Sequence, residues 1–230
     1  VSWTLRARIN CLFIRSGSLS SRRLYDSIYN TNIADIESGN IKVDDYLIGN
    51  KPDSRMGISL IIPIHSISKS YANLVSSLKK IEPAQYYYPT HDLHITIFDY
   101  IQGTEKYIRN PELEKTLIRI SRESLKSVHR FSITFEGIVF SNTAGVIQGY
   151  DDNILIKSRE KIRILLKKNG IKNDERYESE SAHITFVRFM NQFLRAEELC
   201  RFINENREME IGIQKVEEIE LVEHDWYNHE

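Results

Sequence analysis

The chain has 230 residues, with 31 Lys and Arg against 32 Asp and Glu, and 41% of it is hydrophobic. That is enough apolar material for one sizeable core or two small lobes, and with 27% charged residues it excludes a disordered chain. A net charge of -1 excludes indiscriminate wrapping of nucleic acid, which needs many phosphates neutralised, yet leaves room for a small phosphate pocket.

Cys11 and Cys200 are the only cysteines and lack metal-like spacing. They fit a reducing compartment better than a stapled secreted domain, and a bond between them stays open. The longest apolar runs, such as Ile58–Ile64, stop at strand length. The opening VSWTLRARINCLFIRSG has no sustained hydrophobic stretch, so it makes a poor signal peptide. A cytoplasmic monomer without membrane contact is expected.

In chain order, residues 1–55 are polar and broken. Leu24, Ile28 and Ile33 at rough helical spacing predict one or two short helices that Gly39 stops, in an extension packed on the main domain. Met56–Ile64 reads as a buried strand and Ser66–Lys80 as a helix that Pro83 breaks. His91–Ile101 alternates as a strand, with His94, Thr96 and Phe98 on one face. Asn110–Pro111 opens a helix to about Val128, followed by strands at Arg130–Phe140 and Gly145–Tyr150. Asp151 or Asp152 caps a helix that ends in LLKKNG. A strand at Ser181–Phe189, a helix at Gln192–Asn204 and a final strand or hairpin arm at Met209–Val222 complete the order. Strands alternating with helices predict sheets covered on one face by helices. The domain is expected over 56–222, with 223–230 as a tail.

One tripeptide occurs twice. His94-Ile95-Thr96 returns as His183-Ile184-Thr185, 89 residues later, each time at the entry of an apolar run. This is the pattern of two β-α lobes that face each other across a groove. Residues i and i+2 of a strand share a face, so each triplet projects an imidazole beside a hydroxyl while its isoleucine anchors the core. Two imidazoles and two threonines around one cavity suit a phosphate ester. One histidine takes a proton from the attacking oxygen, the other gives one to the leaving oxygen, and the hydroxyls donate to the phosphate. The structural alternative is a pair of satisfied histidines on unrelated strands. No His-x-x-x-His pair or cysteine cluster suggests a metal, and no cofactor is expected.

On these motifs the sequence resembles the 2H phosphoesterases, which include the bacterial 2′-5′ RNA ligase-like cyclic phosphodiesterases. Both His-x-Thr motifs are complete, and the second continues to Val187-Arg188 as HITFVR, similar to the His-x-Thr-x-x-Arg form of the RNA ligase-like branch. The resemblance covers about residues 56–222. It implies an α+β, internally duplicated two-lobed fold with antiparallel sheets flanked by helices around a central groove. It also implies metal-independent hydrolysis of 2′,3′-cyclic phosphates or 2′-5′ linkages of RNA or nucleotides, with reversible ligation, by His94, Thr96, His183 and Thr185. His94 is placed as acid and His183 as base. A small cyclic nucleotide or ADP-ribose derivative is the alternative substrate, and a non-catalytic RNA- or nucleotide-binding module the alternative class.

The supporting residues carry two readings each. Arg188 suits a phosphate, but its odd separation from Thr185 turns it to the opposite face unless a bulge re-aims it. Phe98 is a cavity-wall candidate, His91 a groove-mouth candidate, and Tyr88, among Tyr86–Tyr88, either stacks on a base or packs in the core. The run Lys157–Arg176 holds eight Lys and Arg against three acids, which reads as a solvated helix face or as a guide for an RNA end. Glu205–Asp225, with eight acids against two bases, is no RNA platform.

Overall fold

The computed structural model describes residues 19–49, 51–175 and 178–227. Cys11, with the bond to Cys200 left open by the sequence, and Arg176 lie outside the described residues; Cys200 is buried. The elements are α1 (Leu19–Glu37), β1 (Met56–Pro63), α2 (Ser68–Ile81), β2 (Tyr86–Tyr87), β3 (His94–Thr104), α3 (Pro111–Leu125), β4 (Phe131–Phe140) and β5 (Ala144–Tyr150). They continue with α4 (Ile154–Lys168), β6 (Ile184–Arg188), α5 (Ala196–Glu205), β7 (Glu210–Val216) and β8 (Glu220–Asp225). A single 3-10 turn, Thr90–Asp92, precedes β3.

Local chemistry explains most boundaries. Gly39 takes φ 73° just past α1, which is one helix. At α3 the Asn110 side chain accepts from the Glu112 and Leu113 amides, with Pro111 in the first turn. Asp151, not Asp152, serves α4, its carboxylate accepting from Leu155 N at 2.8 Å. Lys167 and Lys168 face the carbonyl end of that helix, and Gly170 follows at φ 67°.

The strands form two sheets, β3-β1-β8 and β2-β6-β5-β4-β7, with antiparallel pairing throughout. The fold is therefore α+β. Helix α4 packs on β3 and α3 on α4; α2 packs on α5 and β7, and α1 on β4 and α5. One apolar cluster runs through both sheets, with Leu60, Ile95, Ile133, Phe135 and Ile184 each at 0% exposure.

Two expectations need correction. Met209–Val222 is not one strand: β7 pairs with β4 in the larger sheet and β8 with β1 in the smaller, on either side of Glu217 and Glu218. Two adjacent acids stop one alternation, and Ile219 with Leu221 begins another in a different layer. The expected strand at His91 starts three residues later, because His91 and Asp92 belong to the 3-10 turn. Strand β2, at two residues, is too short to leave a periodic signal.

Candidate active site

The two triplets lie in matched settings. His94 and Thr96 open β3, at the edge of the smaller sheet; His183 and Thr185 sit at the start of β6 in the larger one. The two strands lie against each other. All four side chains are half-buried, while Ile95 and Ile184 between them are sealed in the core. The tripeptide alternation thus holds in both strands.

It then slips in both, at the same place. Pairing on β1 steps from Leu60↔Phe98 to Ile61↔Thr96, so β3 carries one extra residue at Ile97. Pairing on β5 steps from Gly145↔Val187 to Val146↔Thr185, so β6 carries one at Phe186. Each is a β-bulge, and each buries two consecutive residues, Ile97-Phe98 and Phe186-Val187. The bulges return Asp99 and Arg188 to the half-buried pattern of the histidines. Arg188 is thereby re-aimed, as its position requires. Phe98 is turned away: it is 1% exposed and packs on Tyr100, so it is core and not cavity wall.

Arg188 bears electrostatically on both imidazoles, and His94 on His183. Arg188 also bears electrostatically on the Tyr88 hydroxyl, while Arg188 Nε has no hydrogen-bond partner among the described residues. Tyr88 is 5% exposed and its carbonyl accepts from the Tyr71 hydroxyl. It lies in the core and presents no face for a base to stack on. His91 lies apart, with its side chain 79% exposed and Nε2 3.4 Å from Asp92 Oδ1.

His94 Nδ1 is held at 2.8 Å by the Asp92 carbonyl, and His183 Nδ1 at 2.7 Å by Ser181 Oγ. Both pKa values are pushed down to about 4. For His94 the main cause is burial, with the charges of His224 and Arg188 adding to it. For His183 it is burial, then Arg159, Arg188 and His94. Both residues are half-buried, and their imidazoles are neutral at neutral pH.

These shifts carry a stability prediction. Above pH 6.5 both rings are neutral, folded or unfolded; between 6.5 and about 4 the unfolded chain binds more protons. Stability is therefore expected to fall as pH drops through that window, by at most about 3 kcal/mol per ring and less because both residues are only half-buried. Urea midpoints at a series of pH values check this, and His94→Asn and His183→Asn should each flatten the slope. An unchanged slope in both variants would refute it.

Three residues of this region left a weaker trace in the sequence. Arg159 of α4 is 0% exposed. Its Nε donates to Ile97 O at 2.8 Å, and its Nη2 to Thr96 O at 3.1 Å and Ser181 O at 2.8 Å. One guanidinium thus ties the bulged edge of β3 to the segment that leads into His183. Burial lowers its pKa to about 10, so it stays a cation. Placing it on a solvated face was wrong: it shares a buried stripe with Leu155, Ile162 and Leu166. The second is Asp99, three places after Thr96 as Arg188 is after Thr185. Its carboxylate accepts from Ser59 Oγ at 2.6 Å, and Ser59 Oγ lies 2.7 Å from Nε2 of the third residue, His224 on β8.

A cavity of about 1540 Å³ beside α4 and β7 is lined by none of the four motif side chains. It holds Lys157, Lys161, Arg130 and Lys215 as well as Asp152, Glu217 and Glu218, and reaches Pro63, the cross-strand partner of His94. Among the described residues no group of three or more His, Cys, Asp or Glu could hold a metal ion, and no helix is long and apolar enough to cross a membrane.

No family model and no curated protein matches the chain. Among solved structures it is similar to TT0787 of Thermus thermophilus, with 15% identity over 73% of this chain and 84% of that one, and a TM-score of 0.45. It is similar to the PDE domain of MHV ns2, with 15% identity over 73% and 97% of the two chains and a TM-score of 0.48. A third, the conserved protein of unknown function ATU0111 of Agrobacterium tumefaciens strain C58, gives 16% identity over 76% and 84%, and 0.48. At these identities the likeness is one of fold alone.

Proposed function

We propose that this chain is a phosphodiesterase that opens 2′,3′-cyclic phosphate ends, or cleaves 2′-5′ linkages, of RNA or nucleotides by two-histidine acid–base catalysis. The observation that carries the reading is the doubled His-Ile-Thr strand entry with its doubled bulge. It gives two half-buried histidines with neutral imidazoles, two hydroxyls and one half-buried arginine on strands that touch. We read the two sheets as two lobes and the meeting of β3 and β6 as the floor of a groove between them.

His94 is the base in this reading. Its Nδ1 faces a carbonyl, which only accepts, so the ring proton sits there and Nε2 offers a lone pair. This reverses the roles expected from the sequence. Nε2 takes a proton from water, whose oxygen bonds to phosphorus as the bond from phosphorus to the ribose 3′ oxygen breaks. His183, doubly protonated once the bound phosphodiester has raised its pKa, gives its Nε2 proton to that leaving oxygen and returns to the neutral ring, and a 2′-phosphate remains. Thr96, Thr185 and Arg188 donate to the non-bridging oxygens as charge gathers there. The phosphodiester's negative charge raises both depressed imidazole pKa values, which brings them toward the working range of acid and base. Lys157 and Lys161 in the neighbouring cavity offer cations for phosphates farther along an RNA.

The test is hydrolysis of 2′,3′-cyclic nucleotides and short cyclic-phosphate-ended RNA in EDTA, beside ADP-ribose 1″,2″-cyclic phosphate and cyclic oligonucleotides. Turnover of the first two to 2′-phosphates, unaffected by the chelator, is expected. Turnover that EDTA abolishes, or none on any substrate with the protein folded, overturns the proposal.

A further inference from the structure

The net charge of -1 hides a segregated surface. Glu205–Asp225 gathers eight acids against two bases, while cations collect on the outer side of α3 and α4. On α3, Lys115, Arg119, Arg122 and the capping residue Lys126 are all exposed, at steps of four, three and four residues. They line one depression of the surface with Ile118 and Glu123. At 3.6 residues per turn they fall within about 60° of the helix circumference, away from the buried Leu117, Ser121 and Ser124. α4 repeats the pattern with Lys157, Lys161, Ile164 and Lys168, away from its buried Leu155, Ile162 and Leu166.

The two stripes belong to one surface. α3 packs on α4, and the helices run in opposite directions. Ser124 and Ser127 at the end of α3 line the same cavity as Ile154 and Lys157 at the start of α4. Farther along, Arg119 Nη2 donates to Oδ1 of Asn169, the residue that caps the end of α4, at 2.6 Å. Each stripe is about 16 Å long, and packed helices lie about 8–10 Å apart, so the cations share a small patch. Three exposed acids, Glu112, Glu123 and Glu160, belong to the same two helices. Glu112 holds Lys115 at 2.8 Å, but both ends of that pair are exposed, and such a pair costs little to part.

The composition of this face selects its ligand. No aromatic side chain stands in either stripe, so it offers phosphate contacts and no stacking platform. A bilayer would need an apolar face beside the cations. Both helices spend theirs on the core, and only Ile164, 66% exposed, projects from the stripes. The face is also continuous with the candidate site. Lys157 and Lys161 line the cavity that reaches Pro63, the cross-strand partner of His94.

We propose that the outer face of α3 and α4 is a sequence-independent docking surface for the backbone of RNA. It holds the body of a chain whose 3′ end enters the site between β3 and β6. The end it delivers rests on the phosphodiesterase reading, which it deepens: the natural substrate is a long RNA and not a free mononucleotide. The backbone contact itself needs no catalysis.

Fluorescence anisotropy on the full chain tests this, with an unstructured RNA of about 20 nucleotides beside a tetranucleotide of the same 3′ end. The long RNA is expected to bind at least about tenfold more tightly in low salt. With four or more phosphates held, the logarithm of its association constant should fall against log salt with a slope of about -3 or steeper. Arg122→Gln/Lys126→Gln changes two exposed positions to a good helix former, so the fold is kept. It should weaken binding of the long RNA about tenfold or more in low salt and make the slope shallower by about 1–2. Removing two charges from α2 instead, in Lys69→Gln/Lys80→Gln, should leave the slope as it is. A long RNA that binds no better than the tetranucleotide overturns the proposal. So does a slope that Arg122→Gln/Lys126→Gln leaves unmoved, or that the α2 pair lowers equally. Binding to phosphatidylserine vesicles but not to the long RNA overturns it in favour of a membrane surface. If no cyclic phosphate is turned over while the long RNA keeps its slope, the phosphodiesterase reading falls and the docking surface stands.

Discussion

Alanine at either His94 or His183 is expected to lower turnover of a 2′,3′-cyclic phosphate by about 10²–10⁴-fold, the range for loss of one acid or base. The two losses should not add, because removing one partner of a concerted pair already abolishes the concerted route; the double variant should be about as slow as the slower single one. A stricter version uses asparagine. Its amide nitrogen reaches roughly where Nδ1 sits, so His94→Asn keeps a donor for the Asp92 carbonyl while removing any base from the Nε2 position. Single-turnover rates of the four variants, beside near-ultraviolet circular dichroism, check the expectation. A folded His94→Asn or His183→Asn protein within about tenfold of wild type would show that its imidazole transfers no proton in the rate-limiting step.

The second large effect is expected far from any substrate. Arg159→Met keeps the volume and apolar stem of the side chain but strips Thr96 O, Ile97 O and Ser181 O of their donor. Buried carbonyls without partners cost about 1–3 kcal/mol each when nothing replaces the donor, so a loss of about 3 kcal/mol or more is expected from urea unfolding. Activity should fall further than stability alone explains, since both His-Ile-Thr entries hang on the same guanidinium. Arg159→Lys should recover only part of either, because an ammonium cannot reproduce the fork that reaches two strands at once. A loss below about 1 kcal/mol in Arg159→Met would mean that water or a neighbouring group replaces the fork and that the clamp is not what aligns the strands.

The sequence was most legible where one physical rule governed a long stretch. Buried runs such as Met56–Pro63, the Asn110-Pro111 helix start and the alternation inside each triplet were all readable, because capping and strand parity are local. The bulges were not, since one extra residue in a strand is defined only against its partner. That single fact misplaced Phe98, hid Asp99 and left Arg188 undecided. Arg159 was hidden for another reason. A charged residue in a basic run is usually solvated, and only its spacing from Leu155 and Ile162 put it inside.

The pairing of β1 with β8 has a consequence for how the protein is made. Residues 56–63 and 94–104 emerge early and can pair, but the other edge of β1 is covered only by residues 220–225. Until those leave the ribosome, the nearly all-apolar strand Met56–Pro63 presents an open row of amides and carbonyls, the kind of edge that recruits foreign strands. β8 therefore acts as a completion seal. A product cut short before Glu220 would keep both His-Ile-Thr entries in its sequence and yet display a sticky edge to chaperones and proteases, so interrupted synthesis yields debris marked for removal instead of a partly working copy.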